Sequence, residues 1–221
     1  MFCECRNLTV RRGPAMALNI ARLGIRAGRI TAVVGPNGSG KTTLLEVLAL
    51  LRRPTSGQLK LWGRRAGPGD RKLRRKVVMV MHPGYMFRGN VWRNLMYGLK
   101  ARGLAGAEAR SRAAGALKMV ALPDFAHRHA ADLSAGERQR VNLARALAIG
   151  PEAILLDEPV ANVDARTVEV VGKLLRRLRD ERDVTVVHTS PGDSQLRATA
   201  DRVVRLEAGK VQEADEPTET D

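Results

Sequence analysis

The stretch that decides the fold is "GPNGSGKTT", Gly35 to Thr43. It fits the pattern G-x-x-x-x-G-K-[ST] and lies between the apolar run "ITAVV" and the leucine-rich run "TTLLEVLALL". Strand, glycine loop and helix in this order are the context of a phosphate-binding loop, because glycines let backbone N–H groups turn inward at a helix N-terminus. The sequence therefore predicts a nucleotide site. Lys41 can reach the β- and γ-phosphates, and the Thr42 hydroxyl can bind Mg²⁺. The predicted ligands of the loop are Gly35, Pro36, Asn37, Gly38, Ser39, Gly40, Lys41, Thr42 and Thr43.

A pair of acids follows a second buried strand. "AILLDEP", Ala153 to Pro159, is an apolar run that ends in Asp157 and Glu158. Two carboxylates at the end of a strand buried on both faces indicate a functional role, because burying unpaired charges costs free energy. Asp157 is predicted to hold Mg²⁺, and Glu158 to polarise a water for attack on the γ-phosphate.

Helices and strands alternate along the second half of the chain, which predicts an α/β fold: a phosphate-loop NTPase core with a mostly parallel sheet. The segment 6–34 predicts antiparallel N-terminal strands, and an Ala- and Arg-rich stretch at about 86–132 predicts an inserted helical subdomain. We expect a single domain over residues 1–212 and an acidic disordered tail over 213–221.

The composition indicates the cellular compartment of the protein, the state of its cysteines and the charge of its partners. No run approaches the roughly 18 apolar residues of a membrane span, and the N-terminus has no signal-peptide pattern, so we expect the chain in the cytoplasm. Cys3 and Cys5 are the two cysteines, and we interpret them as reduced thiols rather than metal ligands. The formal charge is +15, with a dense basic stretch at 64–76 that is either a solvated face or a binding patch for an anionic partner.

"LSAGERQRVNLARALAIGP", Leu133 to Pro151, predicts a helix capped by Ser134 and Glu137. Together with "GPNGSGKTT" and "AILLDEPVANVD", it resembles the ATP-binding cassette (ABC) ATPases over about residues 6–212. The resemblance implies an ATPase that uses ATP and Mg²⁺ as a head-to-tail homodimer. It also implies that ATP meets the partner's signature, at Ser134, Ala135, Gly136 and Glu137, and that Asp164 communicates across the dimer.

Three positions depart from the pattern of that family. Arg12 stands where an aromatic residue usually stacks on adenine, and we expect its guanidinium to replace that residue. His82 stands where a glutamine usually contacts Mg²⁺ and the attacking water, so His82 is a candidate Mg²⁺ residue, and its neutral imidazole can serve the water. For the switch histidine two alternatives stay open: either His188 serves, or Pro191 occupies the position and phosphate sensing is weakened.

Four of the seven aromatic residues lie between Tyr85 and Tyr97, which predicts a docking groove for an apolar partner element. The stretch "YMFRGNVWRNLMYGLKARG" is similar to importer ATPases of the tungstate/molybdate (oxyanion) type. That resemblance implies transmembrane permease subunits, an extracytoplasmic substrate-binding protein, a peripheral position on the inner face of the membrane, and no nucleic-acid partner. The alternatives are a soluble ABC ATPase acting on nucleic acid, or a degenerate cassette that binds ATP in a regulatory role.

Overall fold

A computed structural model describes residues 1–192 and 195–215, and within it the chain forms two compact units. The core unit comprises Met1–Met79, Glu152–Glu158 and the part of the chain from Leu175 onward. The helical unit comprises Val80–Pro151 and Pro159–Leu174. In the part of the chain that is described, no helix is both long and apolar enough to cross a bilayer.

The first sheet of the core unit is antiparallel, with spatial order β2-β1-β4-β5. Its strands are β1 (Cys3–Arg12), β2 (Ala15–Ile25), β4 (Ser56–Leu61) and β5 (Arg64–Arg65). Along β1 the side chains alternate, so that Cys3 and Cys5 lie on the buried face as free cysteines. A hydrogen bond with Cys5, together with burial, raises the pKa of the Cys3 thiol well above its ordinary value.

The second sheet is mostly parallel, as predicted, and runs β10-β9-β3-β8-β7-β6. β3 pairs in parallel with β8 and β9, β7 pairs in parallel with β8, and only the C-terminal hairpin of β9 and β10 is recorded as antiparallel among the described pairings. Every residue of β3, β7 and β8 is buried, which explains their continuous apolar runs. The strands are β3 (Ile30–Val34), β6 (Val77–Val80), β7 (Ala153–Leu156), β8 (Thr185–Ser190), β9 (Arg202–Glu207) and β10 (Lys210–Asp215).

Helix α1 (Lys41–Leu48) follows β3 and buries Leu44, Leu45 and Leu48 in the main hydrophobic cluster of the core unit. A short helix, α2 (Arg71–Lys76), lies within the dense basic stretch at 64–76. Strand β10 continues to Asp215, so the last strand extends three residues into the predicted tail; residues 216–221 lie outside the described part.

The helical unit contains α3 (Val91–Ala101), α4 (Gly106–Met119) and α5 (Ala135–Ala148), which pack against one another, and α6 (Ala165–Arg182) begins in it. Buried residues of these helices include Leu95, Leu99, Leu117, Val141 and Leu143. α5 packs on α3 and α4 and belongs to the same compact unit, while the bounds of the inserted subdomain, about 86–132, stay a prediction.

Candidate functional site

The glycine loop between β3 and α1 has a backbone that few other residues could adopt. Gly38 has φ 82° and Gly40 φ 103°, both in the left-handed region. A Cβ on Gly40 would lie 2.5 Å from the carbonyl oxygen of Ala17, and one on Gly35 would collide with the carbonyl oxygen of Leu206. The loop is therefore held in a tight turn against neighbouring backbone.

The loop also leaves hydrogen-bonding groups available to an anion. Gly40 is the N-cap of α1 and no side chain caps this helix, so its first-turn N–H groups are free to meet a ligand. The Ser39 hydroxyl is buried, and in the described part of the chain it has no hydrogen-bond partner. Orphaned donors at a helix N-terminus fit the phosphates of a nucleotide.

Lys41 extends over this loop. Its Nζ donates to the carbonyl oxygens of Gly35 at 2.8 Å and Pro36 at 3.1 Å, and lies 4.0 Å from Glu158 Oε1. Burial lowers the pKa of Lys41, while the carboxylates of Glu158 and Asp157 oppose that shift. An incoming phosphate would meet a positive charge already positioned at the loop.

Asp157 follows β7 and is 6% exposed. Its Oδ2 accepts from the Thr42 hydroxyl at 2.8 Å, and its Oδ1 accepts from the Thr189 hydroxyl at 2.7 Å. The Thr189 hydroxyl in turn accepts from the Glu158 N–H at 2.9 Å. One threonine at the end of β8 thus fixes both acids, with Thr42 holding the other oxygen of Asp157.

Glu158 has a backbone φ of 44°, in the left-handed region that residues other than glycine rarely adopt. Strained backbone of this kind persists only where the surroundings hold it, and here the Thr189 hydrogen bond does so. The geometry sets the Glu158 carboxylate on the Lys41 side of the strand end.

Thr189 is a site residue that the sequence did not predict. The signal was present, because a polar residue at the carboxyl end of a buried parallel strand is a common ligand position. The apolar run "VTVVH" ends just before Thr189, and β8 (Thr185–Ser190) continues through Thr189 to Ser190.

His188 lies inside β8, is fully buried, and pairs with Ala32, three residues before Gly35. Neither ring nitrogen has a hydrogen-bond partner in the described structure, and burial lowers its pKa to about 4. Successive side chains of a strand point to opposite faces, so His188 points away from the face on which Thr189 contacts Asp157. Pro191, by contrast, is exposed in the turn after β8 and lines a cavity of about 560 Å³ with Gly35 and Pro36.

Arg12 lies at the end of β1 and contacts the helix that follows the loop. Its guanidinium donates to Glu46 Oε2 of α1 at 3.0 Å, and Arg52 Nε donates to the same oxygen at 2.5 Å. The Arg12 side chain remains 48% exposed. This ion pair places Arg12 beside α1 without burying it.

The remaining predicted residues belong to the helical unit. Ser134 caps α5: its hydroxyl accepts from the Glu137 N–H at 3.2 Å, and Glu137 Oε2 accepts from the Ser134 N–H at 2.9 Å. The predicted capping box is therefore present, and Ser134 and Ala135 are exposed at the helix start. Arg128, which sequence reasoning did not identify, also pairs with Glu137 at 3.2 Å. The Ser134 backbone hydrogen bond, aided by Arg128, lowers the pKa of Glu137.

Asp164 caps α6 beside the same segment. Its Oδ1 accepts from the Thr167 N–H at 2.8 Å, and its Oδ2 from the Thr167 hydroxyl at 3.0 Å. These hydrogen bonds lower the pKa of Asp164. A Cβ on Gly136 would lie 2.5 Å from Asp164 Oδ2, so only glycine lets the start of α5 pack this closely on Asp164.

His82 is half-buried after β6, and a cis peptide bond joins it to Pro83. Beyond it, Phe87 lies between two exposed tyrosines, with ring centroids 5.4 Å from Tyr85 and 4.3 Å from Tyr97. Arg145 lies over the Phe87 ring at 5.4 Å. The loop borders a cavity of about 360 Å³, lined by residues that include Tyr85, Met86 and Phe87.

The sequence matches the family described as ABC transporter over residues 18–161. The tungstate uptake system ATP-binding protein TupC of Peptoclostridium acidaminophilum is 34% identical over 209 residues, which cover 95% of this chain and 96% of TupC. The sulfate/thiosulfate import ATP-binding protein CysA of Methylococcus capsulatus is 37% identical over 217 residues, which cover 96% of this chain. The chain spans 62% of the length of that CysA.

Among solved structures, the dimeric ATP-binding cassette MJ0796, in a post-hydrolysis state bound to ADP and Pi, superposes with a TM-score of 0.87. It is 31% identical, and the alignment covers 97% of this chain and 98% of that one. The family match spans more than half of the chain, and its phosphate loop, capped signature helix and paired acids lie within the described structure. The chain belongs to the ABC transporter family of ATP-binding cassettes.

Proposed function

We propose that the chain is the ATP-binding and ATP-hydrolysing subunit of a membrane importer whose substrate is an oxyanion. The observation that carries the proposal is the joining of Asp157 and Glu158 to the phosphate loop, through Thr42 at 2.8 Å and Lys41 at 4.0 Å. The names of TupC and CysA, which state tungstate uptake and sulfate/thiosulfate import, support the substrate class.

In ATP hydrolysis, Lys41, Glu158 and the backbone of the phosphate loop would each have a separate role. The Lys41 ammonium, now bonded to two loop carbonyls, exchanges them for β- and γ-phosphate oxygens. The Glu158 carboxylate accepts a hydrogen bond from the attacking water and takes its proton as the oxygen attacks the γ-phosphorus. The bond from the γ-phosphorus to the bridging β,γ-oxygen breaks in the same step, so that ADP leaves and inorganic phosphate forms. The N–H groups of the loop stabilise the charge that develops on the phosphate oxygens.

A magnesium ion fits the residues present. The Thr42 hydroxyl and the Asp157 carboxylate supply hard oxygen donors, which Mg²⁺ prefers, and Mg²⁺ keeps further positions for water and substrate oxygens. When bound, Mg²⁺ neutralises phosphate charge. Thr189 keeps Asp157 oriented for that role through its 2.7 Å hydrogen bond.

The second half of the site would come from a second copy of the chain, arranged head to tail. Ser134 and Ala135 are exposed at the N-terminus of a 14-residue helix, and the capping box fixes the backbone there. Such a helix end attracts a γ-phosphate offered by a partner. Asp164, held by Thr167, is the residue we assign to communication across that dimer.

We assign three further roles, those of Arg12 and Pro191 from side-chain positions and that of His82 from the family resemblance alone. Arg12 contacts the nucleobase, because it is held beside α1 by Glu46 and keeps an exposed surface. His82 serves the attacking water. Pro191 rather than His188 occupies the position of the switch histidine, because the buried His188 ring points away from the two acids.

The membrane partners would dock on the helical unit. Tyr85 and Tyr97 are 70% and 60% exposed, and Met81 is 55% exposed, although large apolar groups at a free surface are costly. An apolar element of a permease would cover them, with the chain lying on the cytoplasmic face of the membrane and an extracytoplasmic binding protein delivering substrate. Nucleic-acid function is not favoured, since the relatives are named for uptake and import.

The test is ATP turnover in the assembled transporter. The full chain is co-expressed with candidate oxyanion permease subunits, purified in nanodiscs, and assayed for phosphate release with and without tungstate or sulfate and a candidate binding protein. We expect oxyanion-stimulated turnover that Glu158→Gln lowers by about 10²- to 10⁴-fold, the usual contribution of a general base. The proposal is contradicted if the chain purifies with no permease subunit bound, or if Glu158→Gln leaves ATP turnover unchanged.

A further inference from the structure

The positive charge of the chain is concentrated in one part of the core unit. Residues 52–76, here called the basic segment, hold ten lysines and arginines and a single acid, Asp70. Their formal charge of +9 is more than half of the +15 of the whole chain. The phosphate loop, the paired acids and the signature lie outside this segment, so the proposed reaction does not account for it.

The fold keeps these cations at the surface. In α2 only Leu73 is buried, and it fixes the other side chains of that helix outward. Within residues 1–192 and 195–215, no ion pair involves six exposed members of the basic segment: Arg53, Arg64, Arg65, Arg71, Lys72 and Arg74. By contrast, Arg52 pairs with Glu46 and Lys76 with Glu152.

The acid within the segment does not pair with these cations. Asp70 is half-buried, and its Oδ1 accepts the Leu73 N–H at 2.9 Å, which begins α2. Asp70 therefore serves as the N-cap of the cationic helix α2. The six cations keep most of their charge available to an outside partner.

A cavity of about 520 Å³ lies within the segment. Its lining includes the basic residues Arg53 and Arg65, the hydroxyl residues Thr55 and Ser56, residues 66–69, and the acid Asp70, whose Oδ1 is engaged by the Leu73 N–H. The Thr55 and Ser56 hydroxyls are hydrogen-bonded to the Arg11 N–H and the Thr9 hydroxyl, so the two arginines are the groups suited to a phosphate, which guanidinium binds in a bidentate manner. Next to Arg52 and Arg53, Leu51 is 47% exposed, so an apolar side chain borders the cationic surface.

We propose that the basic segment is a binding site for the phosphate groups of anionic phospholipids at the membrane surface. A cationic surface with an exposed leucine is the composition of an interfacial contact, in which charge draws the protein to anionic lipid and the apolar group enters the headgroup region. The choice of a membrane rests on the proposed function.

The aromatic content of the segment separates lipid from nucleic acid. Single-stranded nucleic acid is bound by exposed aromatic rings on which bases stack. Trp62 is the one aromatic residue of the basic segment. It packs edge-on against Phe2 with centroids 5.1 Å apart, and Lys76 Nζ lies 5.4 Å from its ring centroid. The segment therefore offers charge without a stacking platform.

The test measures flotation of the full chain with vesicles of phosphatidylcholine alone or with phosphatidylglycerol. One variant carries Arg65→Gln, Arg71→Gln, Lys72→Gln and Arg74→Gln. The matched control carries Arg22→Gln, Arg110→Gln, Arg176→Gln and Arg182→Gln, four exposed arginines elsewhere with the same loss of charge. We expect the first variant to lose about a hundredfold in partitioning to anionic vesicles and the control less than about fivefold, with binding screened by salt.

Four results would overturn the inference: no binding of the wild-type chain to anionic vesicles, equal losses in both variants, release by millimolar inorganic phosphate at constant ionic strength, or tighter binding to an RNA oligomer through the same residues. Release by inorganic phosphate would mean that the cavity binds a free anion, and tighter binding to the RNA oligomer would mean that the segment binds nucleic acid. ATP turnover is measured on the same samples. Lost lipid binding with retained turnover leaves the proposed function intact, whereas lost turnover with retained binding affects only that function.

Discussion

Replacing Thr189 by valine tests how the two acids are held. Valine keeps the shape of this 1% exposed side chain but removes the hydroxyl that donates to Asp157 at 2.7 Å and accepts from Glu158 N at 2.9 Å. A hydrogen bond to a charged group contributes about 1.5–3 kcal/mol, and a tenfold rate change corresponds to about 1.4 kcal/mol. If the bond positions the acids in the transition state, kcat of Thr189→Val falls by about 10- to 100-fold.

The assay is phosphate release at saturating ATP, with ATP affinity and Tm measured in parallel. Thr189→Ser is the control, because it restores the hydroxyl and should keep kcat within about threefold of wild type. A folded Thr189→Val protein that turns over at the wild-type rate would refute the idea that this hydroxyl organises Asp157 and Glu158.

Three further predictions concern single residues. Gly40→Ala should weaken ATP binding by at least about tenfold in a titration, because a Cβ there is strained at φ 103° and lies 2.5 Å from the Ala17 oxygen; unchanged affinity would contradict this. Since burial lowers the His188 pKa from 6.5 to about 4, the unfolded chain binds a proton in that window and the folded chain does not. Stability should therefore fall by up to about 3 kcal/mol as pH drops from about 6.5 to about 4, and denaturant unfolding of His188→Leu should show a smaller fall. His82→Gln should retain or raise ATP turnover and His82→Ala should lower it; if neither changes turnover, His82 only shapes the turn.

The parts of the fold that could be predicted from sequence depend on short-range chemistry. The phosphate loop requires glycines at set spacing before Lys41, and the structure confirms strand, loop and helix in that order. The start of α5 was equally visible, because Ser134 and Glu137 form a capping box within four residues. The parallel sheet followed from apolar runs that only a doubly covered sheet can bury.

The parts that could not be predicted depend on pairings between distant residues. Thr189 meets Asp157 across 32 positions, and that contact arises only because β7 and β8 are neighbours in the sheet. α2 was missed because a single apolar residue, Leu73, gives no helical period. Arg128 pairs with Glu137 through a loop that has no regular pattern.

The most direct test of the account is the nucleotide held by Glu158→Gln. The variant is incubated with ATP and Mg²⁺, separated by size exclusion with light scattering, and its bound nucleotide is identified by chromatography. The account predicts a dimer of about twice the 24.1 kDa chain mass that holds unhydrolysed ATP, while the wild type releases phosphate and holds ADP. A Glu158→Gln protein that holds ADP and releases phosphate at the wild-type rate would contradict the assignment of Glu158 as the general base.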